Sequence, residues 1–114
     1  MPHGFDYEVS LRESLVVIAV SGEMDVATLV DFAGLADSVR LLDHVHDVCI
    51  DLTALSFIDS SGLRAIVLLK SLLERSGIGV SFVEGTPTIM KVLKITQLAD
   101  TWTWRDPPIQ DESS

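Results

Sequence analysis

Polar and apolar positions alternate as the chain begins. Phe5, Tyr7, Val9 and Leu11 are separated by Asp6, Glu8 and Ser10, the period of two that turns one face of a β-strand toward a core. Arg12-Glu13-Ser14 is a polar break of hairpin length. Leu15 to Val20 is then continuously apolar, which predicts a strand covered on both faces and ending at Ser21-Gly22. The repeat changes after that. From about Val26 to Leu42, the residues Leu29, Phe32, Leu35/Ala36, Val39 and Leu42 recur at three and four, an amphipathic helix with Asp25 before it as a candidate N-cap.

A second apolar run, Asp47 to Leu52, predicts the next strand, with Thr53 to Ile58 carrying the chain over the sheet. A helix follows from about Ser61 to Arg75 and closes at Ser76-Gly77. Val80 to Val83 is a short strand, and Pro87 opens a short helix through Ile89, Met90, Val92 and Leu93 to about Lys94. Leu98 and the pair Trp102/Trp104 come last, the tryptophans on one face of a final short strand. The order β-β-α-β-α-β-α-β predicts an α/β domain: a small mixed β-sheet flanked by helices, its crossovers parallel and its opening pair antiparallel. Residues 1–4 and 106–114 read as tails around a domain spanning 5–105. Binding surfaces in such folds gather at strand-to-helix turns on the carboxyl edge of the sheet. Two segments qualify, Ser21–Asp25 and Asp59–Gly62, and the topology could bring them together.

Composition narrows the function. A chain of 114 residues with 47% apolar and 22% charged positions is one globular domain able to bury a core. A formal charge of −9 argues against direct nucleic-acid binding or attachment to an anionic membrane. No apolar run approaches the ~20 residues of a membrane-spanning helix, and residues 1–12 show no signal-peptide pattern. The single cysteine, Cys49, stands in Val48-Cys49-Ile50 as a small core residue, which suits a reducing, cytoplasmic setting. His44-Val45-His46 lacks a third ligand, so no metal is expected. Gly77-Ile78-Gly79 lacks the rest of a phosphate-binding loop, so no cofactor is expected and any ATP would come with a partner.

Hydrogen-bonding chemistry concentrates in Phe57-Ile58-Asp59-Ser60-Ser61-Gly62-Leu63-Arg64, where an apolar strand gives way to an apolar helix. A hydroxyl there can cap the helix, act as a nucleophile or accept a phosphoryl group. The nucleophile reading fails: Ile58 stands where a serine-hydrolase elbow needs glycine, and His3, His44 and His46 supply no clear base. The chain is therefore not read as an enzyme. A phosphate at a helix N-terminus meets free N–H groups and the positive end of the dipole, so the fold tolerates it while a docked partner feels the new charge. The residues alone leave cap and phosphoacceptor both open. On the following helix, Ala65, Ile66, Leu69, Leu72 and Leu73 turn toward the sheet. Leu63 and Val67 fall with Lys70 and Glu74 on the opposite side. They are either an exposed contact patch or covered by another part of the chain.

Phe57-Ile58-Asp59-Ser60-Ser61-Gly62-Leu63 resembles the signature of the STAS-domain anti-anti-sigma factors of bacteria, the anti-sigma-factor antagonists. Ser21-Gly22-Glu23-Met24-Asp25, Val48-Cys49-Ile50-Asp51-Leu52 and Met90 to Leu98 resemble the family's other marks, in order, over about residues 5–105. The resemblance implies a small mixed sheet flanked by helices. It implies phosphorylation at Ser60, with Ser61 secondary, and a partner surface of Ser21, Glu23, Asp25, Asp59, Ser60, Ser61, Gly62, Leu63 and Val67. The implied partner is an anti-sigma factor that is itself a serine kinase carrying its own ATP. Binding by the unphosphorylated form frees a sigma factor, phosphorylation ends it, and a serine phosphatase resets the cycle. Where many relatives have Thr-Ala-Pro before the first helix this chain has Thr28-Leu29-Val30, and where many end in an acidic helix it ends in a polar tail. The alternative is a STAS adaptor, not phosphorylated, in a lipid-transport or stress-signalling complex.

Overall fold

Strands and helices alternate in the predicted order in the computed structural model, which describes residues 5–25 and 28–107. Strand β1 (Asp6–Arg12) turns at Glu13-Ser14 into β2 (Leu15–Met24). Helix α1 (Thr28–Arg40) leads to β3 (Asp47–Ile58), and α2 (Ser60–Arg75) to β4 (Gly79–Val83). Helix α3 (Pro87–Thr96) and a 3-10 turn (Leu98–Thr101) precede β5 (Thr103–Trp104). The predicted start of α1 at Val26 and the Asp25 cap fall at or against residues 26 and 27, outside the described residues, as do the predicted tail residues 1–4 and 108–114.

The strands stand in the order β1-β2-β3-β4-β5, antiparallel between β1 and β2 and parallel thereafter. Because the order never reverses, right-handed crossovers place all three helices on one face. The core agrees. Phe32 of α1, Ile66 of α2 and Ile89 of α3 share one cluster with Val16, Ile18, Val48, Ile50 and Phe82 from the sheet. Among the described residues the other face carries a small buried patch, Val17, Cys49 and Val83 with Leu15. The expectation that Leu15–Val20 is covered on both faces holds in part: helices cover one face, while on the other Val17 is buried and Leu15 and Ala19 are half-buried. Cys49 is fully buried, as expected, and that burial pushes its thiol pKa up, with the Arg105 charge and a hydrogen bond from Ser81 pulling part of the way back.

Strand β3 corrects a second expectation. It does not stop at Leu52 but runs on to Ile58, and β2 runs with it to Met24. The register moves from Ala19↔Asp51 to Ser21↔Ala54, then from Gly22↔Leu55 to Glu23↔Phe57, so β3 holds one extra residue at each of two bulges. At the first, the Asp51 carboxylate accepts from the Thr53 N–H at 2.9 Å and its hydroxyl at 2.8 Å. At the second, the Ser56 hydroxyl donates to the Gly22 carbonyl at 3.0 Å, and Gly22 has a φ of 82° that a side chain would strain. Each bulge delays the next core residue by one position. The buried series is therefore Val48, Ile50, Leu52, then Leu55, then Ile58.

Candidate functional site

The lengthened strands deliver two loops to one place. Met24 and Ile58 are paired neighbours at the carboxyl edge of the sheet, and the Asp59 N–H donates to the Met24 carbonyl at 3.4 Å. The Ser21–Asp25 segment and the Asp59–Gly62 turn are therefore side by side, as the topology suggested. Gly62 makes the junction possible. A Cβ there would lie 2.6 Å from the Met24 carbonyl oxygen and 2.7 Å from its Cβ, so α2 can begin this close to β2 only with glycine at position 62.

Helix α2 begins with a division of labour. Asp59 is the N-cap: its backbone is extended, and its carboxylate accepts from the Gly62 N–H at 2.8 Å. Ser60, the first helical residue, is exposed, and Ser61 is half-buried. No acidic residue occupies the first turn of α2, so the N–H groups and positive dipole end beyond the cap face no competing carboxylate of the helix itself. Glu23 and Asp25 are exposed beside the junction, and Ser21 is half-buried with its hydroxyl donating to the Asp6 carbonyl at 3.5 Å.

The structure separates the remaining expected site residues. Leu63 is 3% exposed and belongs to the main core, and Val67 is half-buried against it. Of the two readings open for this pair, an exposed contact patch or cover by another part of the chain, the second holds. Helix α2 is embraced on several sides: the sheet lies beneath it, α1 packs against it, and the chain beyond α3 returns along its flank. Val67, Lys70 and Glu74 line a cleft of about 430 Å³ there with Leu98, Thr101 and Trp102. The side of α2 that faces water instead carries Ser60, Arg64 and Leu68, spaced by four and so stacked one turn above another. Leu68 is 37% exposed, and Phe57, just before the turn, 49%. Sequence reasoning missed Arg64, Leu68 and Phe57 as surface. The i, i+4, i+8 spacing from Ser60 was the signal that could have found the first two.

Among the described residues no group of three or more His, Cys, Asp and Glu side chains could hold a metal ion, and no helix is long and apolar enough to cross a membrane. His44 and His46 are exposed loop residues.

No curated protein matches the chain. Among solved structures, an anti-sigma factor antagonist from Mycobacterium paratuberculosis is 25% identical over 97% of this chain and 92% of its own, with a TM-score of 0.77. The anti-sigma factor antagonist SpoIIAA in its unphosphorylated form is 23% identical over 95% of this chain and 91% of its own, at 0.71. The Bacillus cell-fate determinant SpoIIAA in its phosphorylated form is 22% identical over 95% of both chains, at 0.66. These likenesses establish the mixed five-stranded fold with its three helices. The STAS-domain family model matches residues 6–111, nearly the whole chain and every element named above, and the chain belongs to the STAS-domain family.

Proposed function

We propose that this STAS domain is an anti-sigma-factor antagonist switched by phosphorylation at Ser60. The observation that carries the reading is the division of labour at the start of α2. Asp59 already caps the helix, so the exposed Ser60 hydroxyl has no structural duty and is accessible to a kinase. The kinase is the anti-sigma factor itself, which brings ATP. The Ser60 oxygen takes the γ-phosphoryl group, ADP leaves, and the hydroxyl proton passes to a base on the kinase. A serine phosphatase reverses the modification, with Ser61 as a secondary position.

The docking surface is formed by Ser21, Glu23 and Asp25 at the end of β2, by Phe57, and by Ser60, Ser61, Arg64 and Leu68 on the outer side of α2. Asp59 and Gly62 shape that surface, and Leu63 and Val67 support it from within. A phosphate on Ser60 adds about −1.5 to −2 charges beside Glu23, Asp25 and Asp59. The positive end of α2 tolerates it, whereas a partner fitted to the neutral serine faces an unmatched charge. Support comes also from the solved antagonists of this fold, one of them in a phosphorylated form.

Incubation with the kinase-type anti-sigma factor and ATP, followed by peptide mapping, is expected to place phosphate on Ser60. Ser60→Asp is expected to weaken the complex by about 2 kcal/mol, roughly 30-fold. Equal labelling of Ser60→Ala and wild type would remove the assignment. A complex indifferent to Ser60→Asp but destroyed by Leu68→Glu would identify a constitutive adaptor instead.

A further inference from the structure

The two edges of the sheet differ. At one end β5 is two residues long and is followed within three positions by Pro107, a blunted edge that cannot template another strand. At the other end β1 is seven residues long, contains neither proline nor glycine, and pairs with β2 without a break in register from Asp6↔Ser21 to Arg12↔Leu15. Among the described residues its far side has no partner strand in the sheet.

The direction of its free hydrogen-bonding groups can be read from one contact. The Tyr7 N–H is taken by the carboxylate of the preceding Asp6 at 2.8 Å, so it points away from β2. With a period of two, Val9 and Leu11 present their N–H and C=O groups to the same open side. Their side chains lie on the helix-bearing face, opposite Ile18 and Val16, and remain 44% and 55% exposed. The chain's own helices thus leave the outer strip of this face uncovered.

We infer that β1 is a self-pairing edge, joining a second copy of the chain antiparallel about a two-fold axis at Val9 and continuing the sheet from one molecule into the next. The sequence is complementary to itself in that register. Asp6 meets Arg12 of the other copy at both ends, Tyr7 meets Leu11, Glu8 meets Ser10, and Val9 meets Val9. All seven residues of the strand find a partner, and both opposite-charge pairs fall on the helix-free face. Moving the axis to Glu8 sets two carboxylates against each other, and moving it to Ser10 still sets Glu8 against Arg12 but pairs five strand residues instead of seven, so charge and paired length together select the Val9 register. Asp6 acts as a gate: its carboxylate occupies the Tyr7 N–H in the single chain, and pairing with Arg12 releases that N–H to the incoming strand. The pairing is independent of the Ser60 reading and survives its failure.

Sedimentation equilibrium over a concentration series at low ionic strength tests this. Wild type is expected to rise from 12.4 kDa toward twice that mass. Val9→Pro is expected to stay monomeric while keeping its circular dichroism, because proline on an edge strand removes only the outward N–H. Arg12→Asp is expected to weaken the dimer by about tenfold, and the swapped variant Asp6→Arg with Arg12→Asp to restore it. Should Val9→Pro unfold, the charge swap alone decides. A wild type that stays at monomer mass, or a dimer indifferent to both Val9→Pro and the swap, overturns the inference.

Discussion

Two strand-to-helix turns on the same edge of the sheet are built alike and differ in the residue that directly follows the cap. Before α2, Asp59 caps by accepting from the N–H three residues on, at Gly62; before α3, Thr86 does the same for Ile89 at 3.3 Å. In each turn a glycine is pressed against a neighbouring strand. A Cβ on Gly62 would lie 2.6 Å from the Met24 carbonyl oxygen, and one on Gly85 would lie 2.8 Å from that of Leu52. After the α3 cap comes Pro87, which fixes the backbone and offers no hydroxyl; the Thr86 hydroxyl is consumed by the cap, and the next one, on the exposed Thr88, stands one position further into the helix. After the α2 cap comes Ser60, whose hydroxyl is additional to what the helix requires. In the same local architecture the first helical position is closed by proline at one turn and holds an exposed hydroxyl at the other.

Substitutions test this comparison in descending order of effect. Gly62→Ala is expected to cost about 2–3 kcal/mol in urea denaturation, since neither backbone can yield easily. Gly34→Ala, on an α1 surface with nothing within 4 Å, is expected to gain up to about 1 kcal/mol. Equal small effects at positions 62 and 34 would mean that the α2 turn is not anchored to β2. Next, Asp59→Ala and Thr86→Ala are each expected to cost about 1 kcal/mol, because both remove a cap of the same kind. Smallest of all, Ser60→Ala is expected to leave stability within about 0.5 kcal/mol of wild type. A loss at Ser60 matching that at Asp59 would erase the difference between the turns and return Ser60 to a structural role.

Much of this could be read in advance, and the exceptions have physical causes. Alternation in β1, the helical repeat of α1 and the proline that opens α3 are local signals, and they located their elements. The second half of β3 was hidden because its two bulges turn a period of two into a period of three, so that Leu52, Leu55 and Ile58 do not look like a strand. The register that explains them belongs to β2, a different stretch of chain. Leu63 and Val67 stayed undecided between exposed and covered for a related reason. A helical wheel separates the side facing the sheet from the side opposite, but α2 is also flanked by α1 and by the segment carrying Leu98 and Trp102. At the site, Asp59, Ser60 and Gly62 were all legible as residues, while the choice of capping group was not. That choice depends on a single 2.8 Å contact, and either side chain could have made it.

The solitary thiol on the helix-free face gives the molecule a clock. Cys49 sits at 0% exposure in the central strand, and burial holds it further toward the protonated, unreactive form. A thiol reagent can reach it only when the sheet opens around β3, so the rate of its modification counts those openings one molecule at a time. The same strand carries Ile58 at its far end, where it hands the chain to Ser60. An event that loosens the junction enough to part β3 from its neighbours would quicken the clock, whereas one felt only at the surface of α2 would leave it running at its old pace.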